Sequence, residues 1–260
     1  MSEGRIEVAR DGAIGWVTFS NPKKYNAVSF EMWQSLPMLM ARLVDDPEVR
    51  VIVLRGAGEK AFISGADISQ FESRRSATAD LAAYDDAAKS ANQAILSCPK
   101  PTVAMIQGYC LGGGVGVALC CDLRYAAVNA RFSVPAARLG LGYAYDGIKQ
   151  LVALVGPSFA KEIFFSARQF TAEEACSMGL VNRIFPSDEL SSSVTELALE
   201  MAGNAPMTIH AAKLAVDLAV TEVGDIETVD RAVAACFASD DYREGRRAFV
   251  EKRLPRFEGK

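Results

Sequence analysis

The chain has 260 residues, half of them hydrophobic, and a formal net charge of −4. That length permits one large domain, or a core with a small extension, around a sizeable buried interior. The acidic balance, with no long basic stripe, argues against nucleic acid or an anionic membrane as the main partner.

The cysteines are Cys98, Cys110, Cys120, Cys121, Cys176 and Cys236, and none forms a C-x-x-C pair. They read as reduced thiols of a cytoplasmic protein. Cys110, beside a glycine cluster, reads as a buried filler because the chain offers almost no base to activate it. Met1-Ser2-Glu3-Gly4-Arg5 carries no apolar targeting region. No apolar run approaches the roughly 20 residues needed to span a bilayer, so no membrane partner is expected. The one histidine, His210, falls in a helix-like stretch over 206–223 and reads as an ordinary surface or packing residue. With no Cys/His cluster, no metal site is expected.

In chain order, 6–10 and 14–20 flank Asp11-Gly12-Ala13 and predict an antiparallel hairpin. A loop follows over 21–27. Ser29 can cap a helix carrying Phe30, Trp33, Leu36, Leu39, Met40 and Leu43, with a kink expected at Pro37. Residues 49–55 form a continuous apolar strand of the kind buried on both faces, followed by a first glycine turn, 56–68. The polar stretch 73–80 reads as a mobile loop and 81–96 as a helix.

The segment 99–122 organises the rest. Two prolines precede an apolar strand over Thr102–Ile106, then Gly108 and Gly112-Gly113-Gly114, then an apolar helix. Strand, glycines and helix start aim free backbone N–H groups and a positive dipole end at one spot, which predicts an anion or oxyanion site near 112–114. The cluster is neither a Walker loop nor a dinucleotide fingerprint: Gly114 stands where the lysine would be, and the third fingerprint glycine is missing. Short strands are expected over 123–128, near Phe132 and over 180–185, with breaks near Gly156-Pro157, Gly179, Pro186 and Pro206. From 148 onwards the pattern is mostly helical. Two strand–glycine turns in succession suggest a repeating architectural unit.

Read together, these segments resemble the crotonase (enoyl-CoA hydratase/isomerase) superfamily over essentially the whole chain. The likeness rests on Asn21-Pro22…Asn26-Ala27, Phe62…Gly65-Ala66-Asp67-Ile68, Lys100-Pro101…Gly108…Gly112-Gly113-Gly114…Cys121-Asp122, Ala172…Ala175…Gly179-Leu180-Val181 and Ala248-Phe249-Val250-Glu251-Lys252-Arg253. It implies an α/β fold: a spiral of β-β-α turns over 1–190, with a helical trimerisation region over 191–260. It also implies a homotrimer or a dimer of trimers. The ligand would be an acyl-CoA, with coenzyme A entering as part of the substrate and no cofactor held permanently. By position, the N–H groups of Ala66 and Gly113 would bind the thioester oxygen. Lys24, Ala27, Ser64, Ala66, Asp67, Ile68, Phe249 and Lys252 would contact the coenzyme.

The chain departs from that pattern in its acid/base groups. Hydratases of the family carry glutamates at the positions of Gly116 and Ala136, and other branches an aspartate at that of Ala144. None of the three residues found here can move a proton, so the usual hydration route is missing. The loop offers Tyr143, Tyr145 and Asp146 instead, and the methylmalonyl-CoA decarboxylase branch looks similar at Tyr143. The alternatives for that loop are that Tyr143 packs on the core and Asp146 caps a helix starting near Gly147. Four readings follow: a hydratase/isomerase-like lyase using non-standard groups, a decarboxylase using Tyr143, a thioester hydrolase using Asp146 or a tyrosine, and a non-catalytic acyl-CoA-binding oligomer.

Overall fold

The computed structural model describes residues 4–67, 78–221 and 224–260. Strands β1 (Arg5–Asp11) and β2 (Ile14–Ser20) form the expected hairpin about Gly12. Helix α1 (Phe30–Asp45) starts at Ser29, whose side chain accepts from the Met32 N–H. It runs on through Pro37 as one helix, because Leu36, Leu39 and Met40 around the proline are all buried and hold it against the core.

From β3 (Val51–Gly56) onward the chain winds as a spiral. Each turn gives one strand to a long sheet and one to a short sheet. The pairs are β3 with β4 (Ala61–Ile63), β5 (Thr102–Ile106) with β6 (Tyr109–Leu111), and β7 (Leu123–Ala127) with β8 (Arg131–Ser133). The last pair, β9 (Phe170–Thr171) and β10 (Arg183–Phe185), enters in the opposite order. The long sheet runs β1-β2-β3-β5-β7-β10, parallel from β2 on, and the short sheet runs β4-β6-β8-β9. Helices follow the turns: α2 (Thr78–Leu96), α3 (Gly113–Cys120), α4 (Ala136–Leu139), α5 (Tyr145–Ser166) and α6 (Ala172–Ser177).

Alternate side chains of the long sheet serve two cores. Ile52 and Leu54 of β3 face the spiral interior. Val51 and Val53 face the other side, where Leu190, Val194 and Ala198 of α7 (Leu190–Ala202) cover them. This double burial is why β3 reads as an unbroken apolar run. The remaining helices among the described residues are α8 (Pro206–Thr221), α9 (Ile226–Ala238) and α10 (Asp240–Glu251).

Several boundaries differ from the sequence expectation. α2 begins at Thr78, so the last three residues of the expected 73–80 loop are helical; the rest of that loop lies outside the described residues. α3 follows the short strand β6, not β5 directly. Gly156, at φ 72° and ψ 167°, breaks α5 beside Pro157 as expected.

Candidate active site

The site forms where the first two spiral turns meet. Asn26 clamps the loop before α1: its side-chain amide donates to the Ala57 and Ala61 carbonyls, and its Oδ1 accepts from the Asn21 N–H. This holds Val28 beside the chain leaving β4. The Val28 N–H donates to the Gly65 carbonyl at 2.9 Å, and the Asp67 N–H donates to the Val28 carbonyl at 3.0 Å. Because extended backbone alternates its polar groups, the intervening Ala66 N–H points the other way.

It points toward the start of α3. Gly112, at φ 51°, is the N-cap of that helix, and its N–H donates to the Ser133 carbonyl. Gly113 is the first helical residue, so its N–H has no partner within the helix. Gly114 lets α3 sit on β4: a Cβ there would lie 2.2 Å from the Ile63 carbonyl oxygen. A Cβ on Gly113 would lie 3.7 Å from the Ala66 nitrogen, and one on Gly65 would lie 3.9 Å from the Gly113 nitrogen. Thus the Ala66 and Gly113 N–H groups are neighbours, and neither donates to another described residue. Two convergent donors at a helix N-terminus suit an oxygen that gains negative charge during a reaction.

Aromatic side chains wall this spot. Trp33 brings Cζ2 to 3.7 Å from the Gly113 Cβ position, and its Nε1 donates to the Tyr84 hydroxyl at 2.9 Å. Tyr84 in turn stacks on Phe30. Tyr143 reaches in from the loop before α5. Its hydroxyl donates to the Gly112 carbonyl at 3.4 Å, and its ring meets Phe164 edge-on at 5.0 Å. Desolvation, followed by the Cys110 and Cys120 thiols, pushes the phenol above its usual value of 10, so it remains a proton donor. Although 37 % of its surface is exposed, its polar end is thus turned inward. Cys110 lies fully inside, and burial pushes its thiol up, which agrees with a filler role.

The other candidates divide. Lys24 pairs with the buried carboxylate of Asp67 at 2.7 Å, and the Ser64 hydroxyl donates to the Lys24 carbonyl, so Lys24, Ser64 and Asp67 form one cluster at the edge of Ala66. Ala27 is buried in the same loop, with its carbonyl accepting from the Asn21 amide. Ile68 lies outside the described residues. Phe249, 85 % exposed, and Lys252, the C-cap of α10, lie on the C-terminal helices; no described hydrogen bond, ion pair or ring contact joins them to Ala66 or Gly113.

Asp146 is the correction. α5 starts at Tyr145 with Ala144 as its N-cap and no side-chain cap, so Asp146 does not cap the helix. Its carboxylate is three-quarters exposed and stands 3.9 Å from the Lys89 ammonium. Gly116 is half-buried with nothing within 4 Å of a Cβ, and Ala136 is buried, so neither position supplies a carboxylate. Trp33 and Tyr84 are not legible as site residues in the sequence: Trp33 falls in the apolar stripe of α1, and its spacing gives no sign that the indole reaches Gly113.

The geometry has close counterparts. The family model described as enoyl-CoA hydratase/isomerase matches residues 9–260. The short-chain-enoyl-CoA hydratase of Clostridium acetobutylicum is 32% identical over 257 residues, covering 97% of each chain. The carnitinyl-CoA dehydratase of Salmonella typhi is 33% identical over 267 residues, covering 100% of both. The crystal structure of an enoyl-CoA hydratase/carnithine racemase from Magnetospirillum magneticum superposes with a TM-score of 0.94 at 34% identity, covering 98% of this chain and 96% of that one. With the family match spanning nearly its whole length, the chain belongs to the crotonase (enoyl-CoA hydratase/isomerase) superfamily.

Proposed function

We propose that the protein is an acyl-CoA lyase that forms a thioester enolate by decarboxylation, with no carboxylate base. The observation that carries this reading is the pairing of two free N–H donors, on Ala66 and Gly113, with Gly116 and Ala136 where a proton-moving pair would stand. In a malonyl-type thioester the bond from the α-carbon to the carboxylate breaks, and CO2 leaves. The electron pair passes into the thioester, whose oxygen becomes an oxyanion held by the two N–H groups. The α-carbon then takes a proton from the Tyr143 hydroxyl, which solvent restores. No side chain has to remove a proton, so the missing glutamates are not required. The hydrolase reading loses ground because Asp146 sits at the surface beside Lys89.

The test is to incubate the protein with methylmalonyl-CoA, crotonyl-CoA and a β-ketoacyl-CoA and to weigh the products. Loss of CO2 from methylmalonyl-CoA is expected. Hydration of crotonyl-CoA without that loss would overturn the reading, and binding of all three without any product would favour a non-catalytic scaffold. Tyr143→Phe is expected to lower kcat about 100-fold with little change in KM, as for a lost general acid. Wild-type activity should fall only as pH rises past 10, because the raised phenol must lose its proton before the donor is lost. A Tyr143→Phe variant with full activity would remove Tyr143 from the mechanism.

The same reading makes the C-terminal helices the contact surface of a homotrimer or a dimer of trimers. Its support is an apolar face with Ile226, Val233 and Phe237 of α9 and Phe249 and Val250 of α10 exposed in the single chain. Sedimentation at three or six times the mass of one chain is expected; a stable monomer would refute it.

A further inference from the structure

The face of α3 that carries Gly116 also carries polar groups that the mechanism above leaves unused. Cys120 lies one turn beyond Gly116 on that face. Its Sγ donates to Gln150 Oε1 at 3.6 Å, which brings the Gln150 carboxamide from α5 against α3. Gln150 is half-buried, and its amide nitrogen donates to no described residue. Tyr143 approaches from the other side, with its hydroxyl at the Gly112 carbonyl one turn before Gly116. Between them the space around Gly116 is open, since nothing lies within 4 Å of a Cβ there. The result is open space beside the two free N–H groups, with one uncharged donor, the Gln150 amide, at its edge and the Cys120 thiol committed to the same carboxamide.

We propose that this chamber is a carboxylate subsite, with Gln150 orienting the second acyl-group carboxylate of a malonyl-type CoA thioester; the inference rests on the decarboxylase reading and deepens it at the acyl end of the site. An uncharged donor is suited to the task. It can hold a carboxylate in position against the α-carbon, yet it gives the carboxylate no counter-ion that would oppose its departure as neutral CO2. The charged pair nearest in sequence, Lys89 with Asp146, is exposed and engaged with itself. A glutamate at position 116 would fill the chamber and repel such a substrate, so glycine there becomes a requirement for this substrate class. Gln150 is a positioning residue, and Cys120 fixes which way its amide faces.

The subsite can be tested without turnover by calorimetric binding of three thioesters to the whole protein. Sulfoacetyl-CoA keeps the negative group but cannot lose CO2; propionyl-CoA has no second polar group; acetoacetyl-CoA has a neutral one. Wild type is expected to bind sulfoacetyl-CoA about tenfold tighter than propionyl-CoA, the worth of one or two neutral hydrogen bonds to a charged acceptor. Gln150→Leu should remove most of that preference while leaving propionyl-CoA affinity unchanged, which also shows that the variant is folded. Gln150→Asn should restore part of it. Equal affinity for sulfoacetyl-CoA and propionyl-CoA in wild type, or an undiminished preference in Gln150→Leu, would overturn the subsite, as would a stronger preference for acetoacetyl-CoA. Should wild type show the preference yet release no CO2 from methylmalonyl-CoA, the subsite stands and the decarboxylase reading falls.

Discussion

Replacing Gly113 with proline is expected to lower thioester turnover about 100- to 1,000-fold while leaving the fold intact. The position is unusually suited to such a test. Gly113 is the first residue of α3, where proline's fixed φ matches the helix and its missing N–H breaks no internal hydrogen bond. The preceding residue, Gly112, has no side chain for the ring to strike. Gly113→Ala is the matched control. It retains the N–H, and its Cβ would meet the Ala66 nitrogen and Trp33 Cζ2 at 3.7 Å, an ordinary contact. Most activity should therefore survive in the alanine variant. The difference between the two isolates one donor, worth about 3 kcal/mol of transition-state stabilisation. Circular dichroism and thermal unfolding check that both fold. A proline variant that turns over substrate at the wild-type rate would show that the oxyanion does not lie at this N–H.

The Gly113 member of that donor pair could be anticipated because its parts are local, whereas Ala66 as its partner was implied only by the family resemblance. Glycines after an apolar run, followed by an apolar helix, dictate where N–H groups are left free, and β5 appears at the expected residues, Thr102–Ile106. What local pattern cannot supply is the pairing of segments far apart in the chain. Strand β6 has three residues and one exposed tyrosine, so no periodicity marks it; its existence depends on the edge offered by β4. The unbroken course of α1 through Pro37 likewise reflects burial of its neighbours, which outweighs the local penalty of proline. Asn26 reads in the sequence as loop, yet its amide spans 31 and 35 residues to fasten the site. Asp146 shows the converse: its position in a loop beside Tyr143 suggested chemistry, and the helix start at Tyr145 turns it to solvent. Trp33 and Gln150 gain their meaning only from what α1 and α5 are packed against.

Installing glutamates at both positions 116 and 136 is expected to exchange one activity for another. Hydration needs one group that takes a proton from water and one that delivers a proton to the α-carbon. The two positions offer unlike surroundings for such a pair. A glutamate replacing Gly116 enters open, half-buried space, keeps its charge and acts as base; exchanging a mid-helix glycine also favours α3 by about 1 kcal/mol. A glutamate replacing Ala136 starts from a buried Cβ, where desolvation raises its pKa and makes it the acid. Gly116→Glu/Ala136→Glu should therefore hydrate crotonyl-CoA at least about 100-fold faster than wild type, and neither single variant should match it. The new carboxylate at 116 also stands where the substrate carboxylate is proposed to bind. Gly116→Glu alone should thus abolish release of CO2 from methylmalonyl-CoA by like-charge repulsion, before any gain in hydration. Mass analysis of both reactions in the four proteins separates the outcomes. If the folded double variant neither gains hydration nor loses decarboxylation, then positions 116 and 136 do not face the thioester, and the acid/base half of the site must lie elsewhere.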